Sequence, residues 1–173
     1  TLEDIEEKIL NIRVGGNDLC NVFGLRRQVC ESIYDLRPIA DILSDIMTVF
    51  GQDYVLSGPV WEYFRAPKEL MFEELPNHGI EDYLMKRLPI VVGKTVIHPK
   101  QITLVNQAFS VSLEDYQDAL EILNWNPGHA NLVSGSHRNI RMNEYKTHYN
   151  WALRTKYLAD SYGICSAVQK ACH

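Results

Sequence analysis

The sequence predicts an α/β fold built on a parallel sheet. Three short β-branched runs alternate with longer segments whose apolar residues recur with helical period. Because a helical crossover carries the chain back to the start of the next strand, such alternation makes neighbouring strands parallel. With 173 residues, 46% of them hydrophobic, the chain can bury a core of domain size.

The predicted strands are short and end in small or polar residues. They cover residues 10–14, 54–57 and 90–97. Each stops at a dipeptide that contains glycine or proline, namely Gly15-Gly16, Gly58-Pro59 and His98-Pro99. Ligands and metals bind at the carboxyl ends of the strands of parallel sheets, so these ends are the predicted position of a site.

The predicted helices carry start and stop signals. One begins at residue 1, and the others cover residues 38–50, 81–88, 102–109, 112–123 and 142–162. Pro38 suits the first turn of a helix, Gly51 ends the same helix, and Ser112 is a favourable N-cap. Residues 66–78 are predicted as a loop or broken helix.

A change in composition marks a boundary near residue 124. Residues 124–140 are rich in Asn, Gly, Ser and His, which predicts a long loop before the last helix. That helix is aromatic and basic and lies outside the strand–helix repeat, which is typical of an element that packs on a neighbour. We therefore predict a barrel-like part over residues 1–124 and a loop with a C-terminal helical extension over residues 125–173.

Composition argues against several classes of function. The net charge is −5, from 17 basic and 22 acidic residues, and no basic stripe is present, so we expect no nucleic-acid partner. No apolar stretch reaches membrane-spanning length and no signal peptide is seen, so we expect no membrane partner and a cytoplasmic location. Cys20, Cys30, Cys165 and Cys172 lack the close spacing of a structural zinc site, which favours reduced thiols.

Asp18 is the strongest candidate for a functional side chain. It follows the first predicted strand in the run Gly15-Gly16-Asn17-Asp18, where a carboxylate can reach a site while its strand stays buried. The alternative is structural, because an aspartate before a helix often accepts hydrogen bonds from the first free N–H groups as an N-cap. The residues alone leave both interpretations open.

Several segments carry a resemblance to a known family. Residues 15–19 show a Gly-x-x-Asp-Leu pattern, and residues 93–102 read Gly-Lys-Thr-Val-Ile-His-Pro-Lys-Gln-Ile. These segments resemble the C-terminal half of the citrate lyase β-subunit/2-keto-acid aldolase family, which are TIM-barrel lyases that make or break C–C bonds. Residues 11–18, 24–27 and 142–149 are similar to a bacterial branch of that family associated with stress- and tellurite-resistance gene clusters.

The resemblance implies both a fold and a reaction. The fold would be the C-terminal portion of a (β/α)8 barrel, with three parallel βα units and extra C-terminal helices. The reaction would be divalent-metal-dependent C–C bond cleavage or formation on a 2-oxo acid or an acyl-CoA thioester. Asp18 would bind Mg²⁺ or Mn²⁺, which stabilises an enolate. The family's second metal carboxylate, a glutamate, and its substrate-binding arginine would lie on strands that precede Thr1.

Small residues at the strand ends are the predicted substrate-binding groups. They are Gly15, Gly16, Ser57, Gly58 and Pro59. Residues of this size allow a substrate to approach the backbone closely.

Other titratable residues have competing interpretations. We favour a structural His98, which turns the chain and bonds to backbone, over an acid or base. Lys94 is interpreted as structural or solvent-reaching, and Glu62 either as an acid/base group or, more commonly, as a glutamate at the rim. The pair Arg26-Arg27 either contacts a phosphate, as in the nucleotide part of coenzyme A, or is a solvated charge pair, which we favour.

Three βα units do not close a barrel, which has a consequence for assembly. An open parallel sheet exposes edges and an apolar face. We therefore expect either a longer polypeptide or a homo-oligomer, with helix 142–162 contributing contacts. The alternative function is a non-catalytic interaction or assembly module derived from such a lyase.

Overall fold

A computed structural model describes residues 7–28, 31–64, 91–125, 133–137 and 139–165. The chain divides into two compact units, Thr1–Phe109 and Ser110–His173. Each unit is described by itself. The division into residues 1–124 and 125–173 stays a prediction about domains.

The first unit contains a three-stranded parallel sheet. Its strands are β1 (Ile12–Arg13), β2 (Leu56–Gly58) and β3 (Val91–Lys94), in the order β1-β2-β3. Arg13 pairs with Ser57 in register. The predicted parallel arrangement in chain order is confirmed, although the strands are shorter than predicted. The described residues contain no closed barrel.

Three helices accompany this sheet in the described residues. They are α1 (Gly16–Val22), α2 (Arg37–Phe50) and α3 (Pro99–Phe109). Helices α2 and α3 were predicted, and Pro38 lies at the start of α2 as expected. For helix α1 no bounds were predicted, because its glycine and asparagine residues are weak helix formers. Tertiary packing of the buried Cys20 holds this short helix in place.

The core of the first unit lies between the sheet and α2. Its buried members are Cys20, Ile33, Tyr34, Ile39, Leu43, Met47 and Leu56. Ile12 and Val14 pack against this core. Because successive side chains of a strand point to opposite faces, Arg13 lies on the other face of the sheet. In the sequence Ile12-Arg13-Val14, the two apolar side chains therefore face the core and the arginine faces away from it.

The second unit is built on a pair of helices and two small sheets. The helices are α4 (Leu113–Leu123) and α5 (Tyr145–Tyr162). Parallel strands β4 (Val111–Ser112) and β7 (Ile164–Cys165) form one sheet, and antiparallel β5 (Val133–Gly135) and β6 (Met142–Glu144) form the other. The Ser112 hydroxyl accepts a hydrogen bond of 3.0 Å from the Asp115 N–H, which confirms the predicted N-cap.

The hairpin β5–β6 corrects two predictions. Residues 133–135 were predicted as loop and residues 142–144 as the start of the last helix, but the two segments pair with each other. Ion pairs between Arg141 and two aspartates of α4, one of them buried, explain the difference. Arg141 Nε donates to Asp118 Oδ2 and Arg141 Nη2 to Asp115 Oδ1, each at 2.7 Å, so the residue before β6 is held against α4.

Asp118 is the centre of this network. It is 0% exposed and also accepts a hydrogen bond of 2.9 Å from the His137 N–H. Burial acts to raise the pKa of Asp118, but the His137 N–H and Arg141 outweigh it and hold that pKa below its usual value. The guanidinium of Arg141 also lies 5.3 Å from the ring centroid of Trp151, which joins the hairpin to α5.

Three predicted secondary-structure elements fall on residues that the structure does not describe, as do Cys30 and Cys172. The three elements are the helix that begins at residue 1, the loop at residues 66–78 and the helix at residues 81–88. Among the described helices, none combines the length and the apolar character needed to cross a membrane.

Candidate functional site

The carboxyl ends of the three parallel strands are joined by direct contacts. The Thr95 N–H donates to the Gly58 carbonyl oxygen at 3.1 Å, which links the ends of β2 and β3. Gly16 lies against Pro59, because a Cβ placed on Gly16 would be 2.7 Å from the Pro59 Cβ. The first residue of α1 must therefore be glycine for the β1 and β2 ends to approach this closely. Of the predicted substrate-binding residues, the structure brings Gly16, Gly58 and Pro59 to one edge.

Asp18 is exposed at this edge, in the first turn of α1. The N-cap of α1 is Gly15, and no side chain caps the helix, so the interpretation of Asp18 as an N-cap is wrong. The carboxylate lies beside Gly15, since a Cβ at that position would collide with Asp18 Oδ2. Within the described residues the Asp18 carboxylate makes no hydrogen bond or ion pair, and the residue is exposed to solvent.

The fit of this site to a divalent cation can be judged from its donors. An exposed carboxylate oxygen is the kind of ligand that Mg²⁺ and Mn²⁺ prefer. In the part of the chain that the structure describes, however, no group of three or more His, Cys, Asp or Glu side chains could hold a metal ion. Asp18 therefore fits one ligand position, and the described residues do not supply a complete donor set.

Arg13 is a functional candidate that the sequence reasoning missed. It is exposed on the face of the sheet opposite the core, and its Nε donates to Thr95 Oγ1 at 3.3 Å. This bond spans β2, because Arg13 is the last residue of β1, Thr95 follows β3, and β2 lies between these two strands. The signal was present in the sequence as one arginine between two β-branched residues, Ile12 and Val14. A charged residue at such a position points away from the core.

The predicted residues Ser57, Gly58 and Pro59 also line a small cavity on the side of α2. Its volume is about 10 Å³, and its other walls are apolar side chains that include Tyr34 and Leu43. A space of this size holds no more than one water molecule. This cavity is not a substrate pocket, so any contact of these residues with substrate must occur at the exposed strand ends.

His98 has the structural role that the sequence predicted. Its Nδ1 accepts a hydrogen bond of 3.2 Å from the Lys100 N–H, and its carbonyl oxygen accepts one of 2.9 Å from the Gln101 N–H. The ring stacks on Phe64 at a centroid distance of 5.1 Å. These bonds fix the first turn of α3, as expected for a histidine that turns the chain and bonds to backbone.

A polar cleft of about 200 Å³ lies beside α1, and we call it the arginine cleft. Its polar lining residues are Asn17, Asn21, Arg26, Arg27 and Glu62. Arg27 is only 2% exposed, so the prediction that Arg26-Arg27 is a solvated pair is wrong for Arg27. Arg26 is exposed, and its Nε lies 3.4 Å from Glu62 Oε1, so Glu62 has an ion-pair partner at the cleft rim.

Comparison with known proteins decides the family. Residues 1–164 match the C–C bond lyase family of the TIM-barrel fold. The chain belongs to this family. The match supports the resemblance to C–C lyases with a TIM barrel, without singling out citrate lyase β. No curated protein gave a significant match, and no solved structure did.

Membership of this C–C bond lyase family gives the strand ends a context. In a TIM barrel the helices form the outer ring, and active sites lie at the C-terminal ends of the strands. Asp18 and Thr95 follow the C-terminal ends of β1 and β3, and Arg13 lies on the face opposite the helix-packed core. Asp18 and Thr95 therefore lie at the end of the strands where the active sites of TIM barrels are found.

Proposed function

We propose that this chain is a C–C bond lyase or aldolase that acts at the carboxyl ends of β1, β2 and β3. The observation that carries the proposal is the exposure of two opposite charges, Arg13 and Asp18, at this edge in a member of a TIM-barrel lyase family. Neither charge is buried in the core: Arg13 is the last residue of β1, and Asp18 lies in the first turn of α1. Exposed charges at this edge of a barrel are typical of an active site.

The proposed substrate is a 2-oxo acid or an acyl-CoA thioester. Cleavage breaks the bond between the α and β carbons, the electron pair passes into the enolate of the carbonyl fragment, and the β-hydroxyl loses its proton as an aldehyde or ketone forms. Arg13 suits a substrate carboxylate, because a guanidinium binds two oxygens at once and Thr95 fixes its Nε. This assignment makes Arg13 an orienting group for the non-reacting end of the substrate.

The remaining substrate contacts are proposed for the small residues of the same edge. They are Gly15, Gly16, Ser57, Gly58 and Pro59. Their support is the close approach of Gly16 to Pro59 and the link from Gly58 to Thr95. Backbone groups there can contact a ligand without side chains in the way.

We further propose Asp18 as one ligand of a Mg²⁺ or Mn²⁺ ion. Its support is the accessible carboxylate beside Gly15. When bound, such an ion supplies electrostatic stabilisation of enolate charge. Since the described residues offer only a partial donor set, the proposal requires further ligands from residues beyond those described or from another chain.

The reaction is testable with a 4-hydroxy-2-oxo acid as substrate and coupled detection of the released 2-oxo acid. We expect release that depends on added Mg²⁺ and that falls at least about 100-fold in Asp18→Asn. Arg13→Gln should mainly raise KM, because it removes a carboxylate contact. Asp41→Asn, an exposed aspartate on α2, is the control. Release that is insensitive to both substitutions, or no release from oxo acids and thioesters alike, would reject the proposal.

We also propose that the chain works as a homo-oligomer in the cytoplasm. Self-association is supported by the sheet edges at β1 and β3, which pair with no further strand among the described residues, and by exposed aromatic side chains of α5, such as Trp151 and Tyr157. A reducing compartment is supported by Cys20 and Cys165, neither of which is in a disulfide. Sedimentation velocity at low micromolar concentration tests assembly, and a well-behaved monomer would refute it. Stable oligomers without lyase activity would favour the alternative, a non-catalytic assembly module.

A further inference from the structure

Gln101 makes two side-chain hydrogen bonds beside the strand ends. The residue is the third of α3 and is only 5% exposed. Its Oε1 accepts a hydrogen bond of 3.0 Å from the Ile97 N–H, and its Nε2 donates one of 3.0 Å to the Trp61 carbonyl oxygen. The carboxamide therefore connects the backbone that follows β3 to the backbone that follows β2.

This connection continues the pairing of β2 with β3 beyond the ends of both strands. The Thr95 N–H donates directly to the Gly58 carbonyl oxygen at 3.1 Å. Alternate residues of a parallel strand bond to the same neighbour, so Ile97, two residues after Thr95, supplies the next donor on that side. Its N–H is linked to the segment after β2 through the Gln101 carboxamide. The two backbones are therefore spaced apart by one side-chain amide.

The segment after β2 is also bound by a second buried side chain. The Val60 carbonyl oxygen accepts a hydrogen bond of 2.6 Å from Arg27 Nη2, and the next carbonyl, that of Trp61, accepts from Gln101. A cavity of about 10 Å³, with Trp61, Thr95 and Gln101 in its lining, lies between the diverging backbones. The position of this segment thus depends on two side chains from different elements rather than on a continued sheet.

We propose that Gln101 is a positioning residue of the lyase edge, whose carboxamide sets the spacing between the ends of β2 and β3. It acts through Thr95, which lies two residues before Ile97 and whose hydroxyl accepts the Nε–H of Arg13 at 3.3 Å. A change in spacing at Ile97 therefore moves the group that orients Arg13. The consequence for substrate binding rests on the proposed function, whereas the spacing itself does not.

The competing role for Gln101 is that of a helix cap. A glutamine at the third position of a helix often accepts a hydrogen bond from a backbone N–H at the helix start, and the Ile97 N–H is such a donor. A cap needs only the acceptor, Oε1. The bond from Nε2 to the Trp61 carbonyl is not part of a cap. The two roles are therefore separated by a substitution that keeps the acceptor and removes the donor.

Gln101→Glu is that substitution, and amide hydrogen exchange of Thr95 in the full chain measures the spacing. At about pH 8 the carboxylate still accepts from Ile97 and is favourable at a helix N-terminus, but it cannot donate to the Trp61 carbonyl. We expect Thr95 to exchange about 10-fold faster than in wild type, which corresponds to the loss of about one hydrogen bond. At about pH 5 the buried carboxyl group is protonated and donates again, so the ratio to wild type should return toward one.

Three comparisons make this result specific. The amide of Leu43, in the core of the first unit, should keep its wild-type exchange rate, which distinguishes a local change from a loss of global stability. Gln101→Met removes both hydrogen bonds at similar volume and should speed exchange at Thr95 at both pH values, without recovery at low pH. Asn106→Asp makes a matched change from amide to acid at an exposed position of α3 and should leave the ratio near one.

The kinetic consequence is measured separately, in the lyase assay. Gln101→Glu should raise KM several-fold at about pH 8 with kcat changed less than twofold, and KM should recover at about pH 5. Lack of turnover by the wild type would count against the proposed function alone, because exchange at Thr95 is measured without substrate. An unchanged Thr95 exchange rate in both Gln101 variants, a change in Gln101→Glu that is independent of pH, or an equal change in Asn106→Asp would overturn the positioning role.

Discussion

Asp18 in the first unit and Asp118 in the second are both helical aspartates, but their surroundings are opposite. Asp118 is fully buried and its oxygens are satisfied by Arg141 and by the His137 N–H. Asp18 is exposed and has no partner within the described residues. In the second unit, charged side chains stabilise the fold. In the first unit, charged side chains at the strand ends are exposed to solvent. A residue of one type is therefore structural in one unit and available for ligands in the other.

The largest expected effect is on the stability of the second unit. Asp118→Ala should lower the free energy of unfolding by about 3 kcal/mol, because it removes a charge-assisted hydrogen bond from Arg141, which keeps Asp115 as a partner, and leaves the His137 N–H without its acceptor. Hydrogen exchange of the amides of α4 and α5 would locate the loss in this unit. Asp160→Ala, which breaks the exposed Lys156–Asp160 pair, is the control and should have little effect. Equal losses would contradict a structural role specific to Asp118.

A smaller effect is expected at the close approach of β1 and β2. Gly16→Ala should destabilise the first unit by about 1–3 kcal/mol, since the added Cβ would lie 2.5 Å from Ile33 Cδ1 and 2.7 Å from the Pro59 Cβ. Gly15→Ala is the matched control. Its Cβ meets the flexible end of Asp18, which can move away, so stability should change little while ligand binding at Asp18 is disturbed. Denaturant unfolding of both variants checks this, and a destabilisation in Gly15→Ala as large as in Gly16→Ala would contradict it.

A further prediction concerns acid stability. The pKa of Asp118 is lower in the folded chain than the unfolded value of about 3.9, because hydrogen bonds from His137 and Arg141 outweigh the effect of burial. The stabilisation is therefore complete above that value and is lost as the pH falls through the folded pKa. Unfolding of the second unit, monitored by hydrogen exchange over a series of pH values, should show this decline. In Asp118→Asn the decline should be weaker, and an unchanged pH profile would contradict the assignment.

The parallel order of β1, β2 and β3 could be predicted because it follows from local patterns. Each strand carries a β-branched run, and each crossover has a helical period or is long enough for one. The N-cap at Ser112 was predictable for the same reason, since hydroxyl and helix start are neighbours in sequence. These features depend on residues only a few positions apart.

The features that were missed depend on distant contacts. The hairpin β5–β6 is fixed by Arg141 reaching Asp118, 23 residues earlier in the chain, and no local pattern encodes that distance. The burial of Arg27 depends on the Val60 carbonyl, 33 residues later. Arg13 was overlooked for another reason. Its position between Ile12 and Val14 was visible, but its meaning required knowing which face of the sheet meets the core.

The central claim is that the strand-end charges of the first unit serve a ligand rather than the fold. The most direct measurement is paramagnetic broadening of amide signals by substoichiometric Mn²⁺, made on wild type and on Asp18→Asn together with their unfolding free energies. We predict broadening centred on Gly15, Gly16 and Asp18 that disappears in Asp18→Asn, while stability changes by no more than about 0.5 kcal/mol. Broadening that persists in Asp18→Asn, or a variant that loses stability as Asp118→Ala does, would contradict the account.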